Sequence, residues 1–120
     1  MNVVSIRGAI TVEDNSKESI LKGTLELLRT IEDKNHLQKD RVISMIFSAT
    51  NDLDQAYPAK AARDMGYVNC GLMCFNEMAV KDSLGKCIRV MILYSSNVEQ
   101  ENVQHIYLKD AKSLRPDLAT

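Results

Sequence analysis

The chain has 120 residues, with 15 lysines and arginines against 16 aspartates and glutamates, for a formal net charge of −1. That length suits a single domain over residues 1–120 that buries roughly two-thirds of its unfolded surface. The near-neutral balance gives no field that would gather nucleic acid or an anionic membrane, so any anion site must be local. Three cysteines, Cys70, Cys74 and Cys87, make no even disulfide framework. Only His36 and His105 could join them around a metal, and neither shows ligand spacing, which predicts a reduced, cytoplasmic protein without zinc. The opening residues carry no basic segment leading into an apolar stretch, and no run approaches the roughly 18 apolar residues of a membrane span.

In chain order, residues 3–12 alternate. Val4, Ile6, Gly8, Ile10 and Val12 lie on one face and Ser5, Arg7, Ala9 and Thr11 on the other, the pattern of a strand with one polar side. Arg7 stands among small neighbours that leave room for a ligand or simply for solvent. Asn15 with Glu18 resembles a capping box, and a helix follows to about Lys34 with Ile20, Leu21, Leu25, Leu28 and Ile31 as its buried stripe. His36 reads as a solvated loop residue. Arg41 to Thr50 is a second strand, apolar on both faces and therefore interior. After the turn at Asn51–Asp54, Pro58 suits the first residue of a short helix reaching about Met65. Lys60 and Arg63 share one side of that helix, an ordinary wet surface unless it faces Arg7 or Arg89.

Gly66 ends the short helix, and Asn69 to Met78 is a third apolar segment in which Glu77 is the only charge; Cys74 within it reads as a core residue. Lys86 to Tyr94 is the strongest strand. Ile88, Val90, Ile92 and Tyr94 form one face and Cys87, Arg89, Met91 and Leu93 the other, so both faces are expected to be buried. Arg89 is the anomaly, because a guanidinium keeps its charge and is costly to desolvate alone. Either a protein carboxylate, with Glu77 the candidate, or an anionic ligand must meet it. A polar turn at 97–102 leads into a last strand, Val103 to Leu108, with the Tyr107 phenol available, and the tail from Lys112 to Leu118 should dock. Five strands and two helices predict an α/β (α+β) fold with a mixed sheet, covered by helices on one side and by something else, such as a neighbouring copy, on the other. The cations at 7, 60, 63, 89 and 115, with Glu77 and Tyr107, suit a small dianion carrying a hydroxyl.

Several strings carry a resemblance: Ile6-Arg7-Gly8-Ala9, Ser48-Ala49-Thr50, Tyr57-Pro58-Ala59-Lys60-Ala61 with Arg63, Cys74 with Glu77-Met78, Lys86-Cys87-Ile88-Arg89-Val90-Met91, His105 with Tyr107-Leu108, and Leu114-Arg115-Pro116-Asp117-Leu118. In this order and from end to end the chain resembles the AroH class of monofunctional chorismate mutases. The resemblance implies a homotrimer with an α/β barrel-like core, active sites in the clefts between subunits, and conversion of chorismate to prephenate on the route to phenylalanine and tyrosine, without metal or cofactor. It also implies roles. Arg89 would face the ether oxygen of the breaking bond, Arg7 and Tyr107 the enolpyruvyl carboxylate, and Glu77 the ring hydroxyl with Cys74 beside it. Lys60, Arg63 and Arg115 would border the ring carboxylate. Tyr57, Ala59, Leu72, Met73 and Leu114 would line the pocket. Tyr57 stands where the family usually has phenylalanine and Met73 where it has threonine, and the turn near Gly66 and Tyr67 is one residue shorter. Two rival readings are a binding module that holds such an acid without turning it over, and a small trimeric enamine or imine deaminase.

Overall fold

The computed structural model describes residues 1–118. Two ten-residue strands form its spine. β1 (Asn2–Thr11) and β4 (Cys87–Ser96) pair antiparallel over their whole length, from Asn2 opposite Ser96 to Thr11 opposite Cys87. β2 (Val42–Ala49) pairs antiparallel with the other edge of β4, β3 (Gly71–Asn76) adds parallel to β2, and β5 (Ile106–Leu108) adds parallel to β1. The result is a mixed five-stranded sheet in the order β3-β2-β4-β1-β5. The predicted strand count and mixed pairing are present. The last strand is shorter than expected, because the Gln104 backbone is bound by the Asn35 side chain and the ladder with β1 begins only at Ile106.

Two helices, α1 (Lys17–Asn35) and α2 (Ala59–Asp64), cover one face. Val4, Ile6, Ile10, Met45, Phe47, Ile88, Val90 and Ile92 meet Ile20, Leu27, Leu28 and Ile31 there, all buried. Each large aliphatic group so removed from water contributes roughly 1.5–3 kcal/mol. The buried stripe of α1 runs through Ile20, Gly23, Thr24, Leu27, Leu28 and Ile31, while Leu21 and Leu25 are only half-buried. The stripe includes Gly23, which makes room for Val12 just past the end of β1: a Cβ there would sit 2.5 Å from Val12 Cγ1. The helix cap also differs from expectation. Ser16 Oγ, not Asn15, accepts the Ser19 N–H at 3.0 Å. Asn15 instead clasps the turn after β2, donating to Asp54 Oδ1 at 2.8 Å and accepting the Asp54 N–H at 3.0 Å. His36 closes α1 in the left-handed region at φ 52°.

The opposite face is largely uncovered. Ile88, Val90, Ile92 and Tyr94 are buried as predicted, but Arg89 and Met91 on the other side of β4 are exposed, so the chain by itself buries one face of this strand and not both. On β3, one strand further out beyond β2, Met73 is 58% and Phe75 52% exposed on that same side. One end is sheltered. Ala9, Cys87, Tyr107 and Ala111 form a second small core, against which Leu84, Leu114 and Leu118 pack, so the tail docks.

A Cβ at Gly8 would lie 2.7 Å from Ile31 Cδ1 and 3.0 Å from the Ile106 carbonyl. Overpacking of this kind typically costs about 1–3 kcal/mol. Gly8→Ala is therefore expected to lower Tm by several degrees in a thermal melt, and an unchanged Tm would contradict the tight seating of α1 on β1.

Candidate active site

Arg89 projects from the first part of β4 onto the uncovered face, between Ser48 of β2 and Ala9 of β1. Glu77 arrives just past the end of β3, its N–H donating to the Ala49 carbonyl at 2.9 Å. Ser48 Oγ donates to Glu77 Oε1 at 2.7 Å, and the same oxygen lies 3.5 Å from Arg89 Nε. The expected carboxylate partner of Arg89 is thus in place. With the Arg89 side chain 47% exposed, the pair is a weak tie rather than a buried lock. Beside it a hollow of about 240 Å³ is lined by Arg7, Ser48, Phe75, Arg89, Met91 and Tyr107 among others. Cys87 lies two residues before Arg89; burial pushes its thiol up, and the guanidinium pulls it partly back.

Arg7 reaches the same hollow from β1. Its backbone N–H donates to His105 Nδ1 at 3.0 Å, and its Nη2 lies 3.4 Å from His105 Nε2. Tyr107 stands opposite Ala9 in the β1–β5 pairing, on the side of the sheet that His105 also faces. Burial, with the charges of Arg7 and Arg115, holds His105 below the usual imidazole range. Arg115 is already met by Asp117, at 3.1 Å from Nε and 2.8 Å from Nη2. Leu114 is half-buried in the small core beneath Tyr107.

The other predicted residues gather elsewhere. A second hollow of about 590 Å³ lies where α2 begins beside β3, lined by Tyr57, Lys60, Arg63, Cys74, Phe75 and Asn76 among others. Tyr57 is 73% exposed, and Lys60 Nζ lies 3.1 Å from Asp64 Oδ2. Ala59 is buried under the mouth, its backbone N–H directed at the Cys74 sulfur. Burial pushes the Cys74 thiol up, so the neutral thiol dominates at physiological pH. Leu72 turns into the main core and Met73 onto the open face, so neither lines either hollow. A third and larger hollow, about 700 Å³, lies beyond the end of β1 among Lys22, Glu26, Lys86 and Lys109 and contains none of the predicted residues.

Within one chain, then, Arg7, Glu77, Arg89 and Tyr107 stand together, while Tyr57, Lys60, Arg63 and Cys74 stand apart from them. Phe75 borders both hollows. Reading the residues alone did not single out Phe75, because an aromatic in an apolar strand reads as core. The link from Ser48 to Glu77 was also missed, being set by strand register. His105 had an available signal: two residues before Tyr107, it falls on the same face.

The fold is that of a small α+β protein, and its uncovered sheet face, with two arginines, a phenol and the Glu77 carboxylate, suits an anion. Comparison narrows this. The model of the family chorismate mutase type I matches residues 3–118. Chorismate mutase AroH of Bacillus subtilis (strain 168) is 42% identical over 120 residues, covering 99% of this chain and 94% of that one. Chorismate mutase AroH of Thermus thermophilus is 42% identical over 117 residues, covering 97% and 96%. A solved structure of a chorismate mutase from Clostridium thermocellum matches with a TM-score of 0.89 at 47% identity, covering 91% of this chain and 97% of that one. The chain belongs to the chorismate mutase type I family and is an isomerase.

His105 makes stability depend on pH. A lowered pKa means that the folded chain binds fewer protons at this ring than the unfolded chain. The ring's contribution is complete above about pH 6.5 and is lost as the pH falls from there toward the folded value. Urea unfolding at pH 7.5, 6.5 and 5.5 is expected to show this decline, and His105→Asn should flatten it. An equal decline in the variant would place its origin elsewhere.

Proposed function

We propose that this protein catalyses the intramolecular Claisen rearrangement of chorismate to prephenate in phenylalanine and tyrosine biosynthesis, as a cytoplasmic homotrimer with sites between subunits. The observation that carries the reading is the Arg89–Glu77 pair beside a hollow that Arg7 and Tyr107 share. Such a rearrangement breaks a C–O bond and forms a C–C bond within one molecule, so no nucleophile or proton shuttle has to act. It requires a folded substrate conformer and positive charge where the ether oxygen gains electron density.

In this reading Arg89 donates to the ether oxygen. A millionfold acceleration corresponds to roughly 8 kcal/mol, and one prepositioned donor of this type typically supplies about 3–4 kcal/mol, leaving the remainder to conformer selection. Arg7 and Tyr107 hold the enolpyruvyl carboxylate. Glu77, oriented by Ser48, accepts from the ring hydroxyl. The split of the family's site residues between two hollows supports a shared site: Tyr57, Lys60, Arg63 and Cys74 of one copy would close over Arg89 and Arg7 of the next. The exposed Met73, Phe75 and Met91 are apolar surface that such a copy would cover. In the closed cleft Lys60, Arg63 and Arg115 would border the ring carboxylate.

The test is to mix purified protein with chorismate and follow both compounds by NMR. Prephenate is expected, and a folded protein that binds chorismate without forming it would leave only a binding module. Lys60→Ala should raise KM about five- to tenfold with little change in kcat, since a peripheral cation binds ground and transition states alike. An effect confined to kcat would contradict that role. Analytical ultracentrifugation should give three copies; a monomer that turns over chorismate would overturn the shared site.

A further inference from the structure

We propose that His105, through its Nε2–H, is a second donor beside Arg7 to the carboxylate that Arg7 holds, and so is a substrate-binding residue. The identity of that carboxylate rests on the function proposed above; the donor pair rests on geometry. The Arg7 backbone N–H lies in β1 at the point where β5 has not yet joined, since the pairing begins at Gly8 opposite Ile106. No strand carbonyl of β5 meets it there, and the His105 ring does, with Nδ1 at 3.0 Å. A backbone N–H requires an acceptor, so Nδ1 must present its lone pair. Turning the ring over would set a C–H against that N–H instead. In the neutral imidazole the single proton then sits on Nε2.

That proton faces a second donor. Arg7 Nη2 lies 3.4 Å from Nε2, and this is the only polar partner of Nε2 among the described residues. Two donors this close, with no acceptor between them, repel until an anionic oxygen sits against both. A carboxylate supplies that oxygen and satisfies the pair with charge-assisted hydrogen bonds. The surroundings keep the ring in this neutral form. Besides burial, Arg7 and Arg115 both oppose a further positive charge, and the Asp117 carboxylate is occupied by the Arg115 fork. Protonating Nδ1 would in addition displace the Arg7 N–H. Tyr107, two residues on, lines the hollow that Arg7 also lines, and the His105 ring stands beside Arg7, so a carboxylate at Arg7 would lie between His105 and Tyr107.

Two variants separate the two nitrogens. His105→Asn keeps an acceptor where Nδ1 was and removes the Nε2 donor; His105→Gln keeps a donor near Nε2 and loses the acceptor. For chorismate turnover, His105→Asn is expected to raise KM about tenfold with kcat within about twofold, because the carboxylate bears the same charge in ground and transition states. His105→Gln should bind more tightly than His105→Asn. A wild-type KM for His105→Asn would reduce His105 to a structural acceptor and overturn the proposal. The ring nitrogens can also be read directly by 15N NMR on the wild-type protein. An Nε2–H tautomer whose proton moves downfield as malate, a hydroxyl-bearing dicarboxylate, is added supports the donor, and an Nδ1–H tautomer or an unmoved signal overturns it. These spectra need no turnover, so failure of the wild type on chorismate would count against the proposed function alone.

Discussion

A guanidinium in the middle of a sheet is the constraint around which the rest of the molecule is arranged. Arg89 keeps its charge whatever surrounds it. It stands on β4, the strand flanked by the two other long strands, so its backbone is paired on both edges. Glu77 approaches from the end of β3 and offsets part of the charge, and the Ser48 hydroxyl fixes the carboxylate from the neighbouring strand. The pair is open enough that a ligand can reach it. In the proposed mechanism this donor, held on a paired strand and partly balanced by an acid, would stabilise developing negative charge with little reorganisation.

The two faces of the sheet divide the labour. One face carries Ile6, Phe47, Ile88 and Ile92 against α1 and supplies the stability that holds β4 in place. The other carries Arg7, Arg89 and Tyr107 together with apolar side chains that the helices do not cover. The small core under Tyr107, with Leu114 and Leu118 of the tail packed on it, ties the C-terminal segment to the same end of the site. The sheet thus brings the first strand, the central strand and Tyr107 of β5 to one hollow, with the first and last strands separated by nearly the whole chain in sequence.

Much of this was legible from side-chain periodicity. The alternation in β1 and β4, the 3.6-residue repeat in α1, and the Pro58 and Gly66 boundaries of α2 all reflect local geometry, and the structure follows them. The pairing of Arg89 with Glu77 was accessible because one was an unpaired charge in an apolar strand and the other the single charge beside such a strand. What alternation could not distinguish was the source of cover: Met91 and Leu93 look buried in sequence whether a helix layer or another chain lies on them. The cap fell on Ser16 because neighbouring Asn15 and Ser16 both carry a capping oxygen, and the choice was made by Asp54, distant in sequence. The separation of Lys60 and Arg63 from Arg89 is a matter of tertiary placement that no local pattern encodes.

The central claim is that Arg89 acts chiefly in the transition state, and the most direct measurement is the kcat of Arg89→Ala and Arg89→Lys on chorismate, with folding verified by circular dichroism. The account predicts a fall in kcat of about a hundredfold or more for the alanine variant, the typical cost of one oxyanion-type donor. The lysine variant should also be poor, because it carries the charge without the planar fork. A folded Arg89→Ala protein with near-normal kcat, changed only in KM, would contradict it.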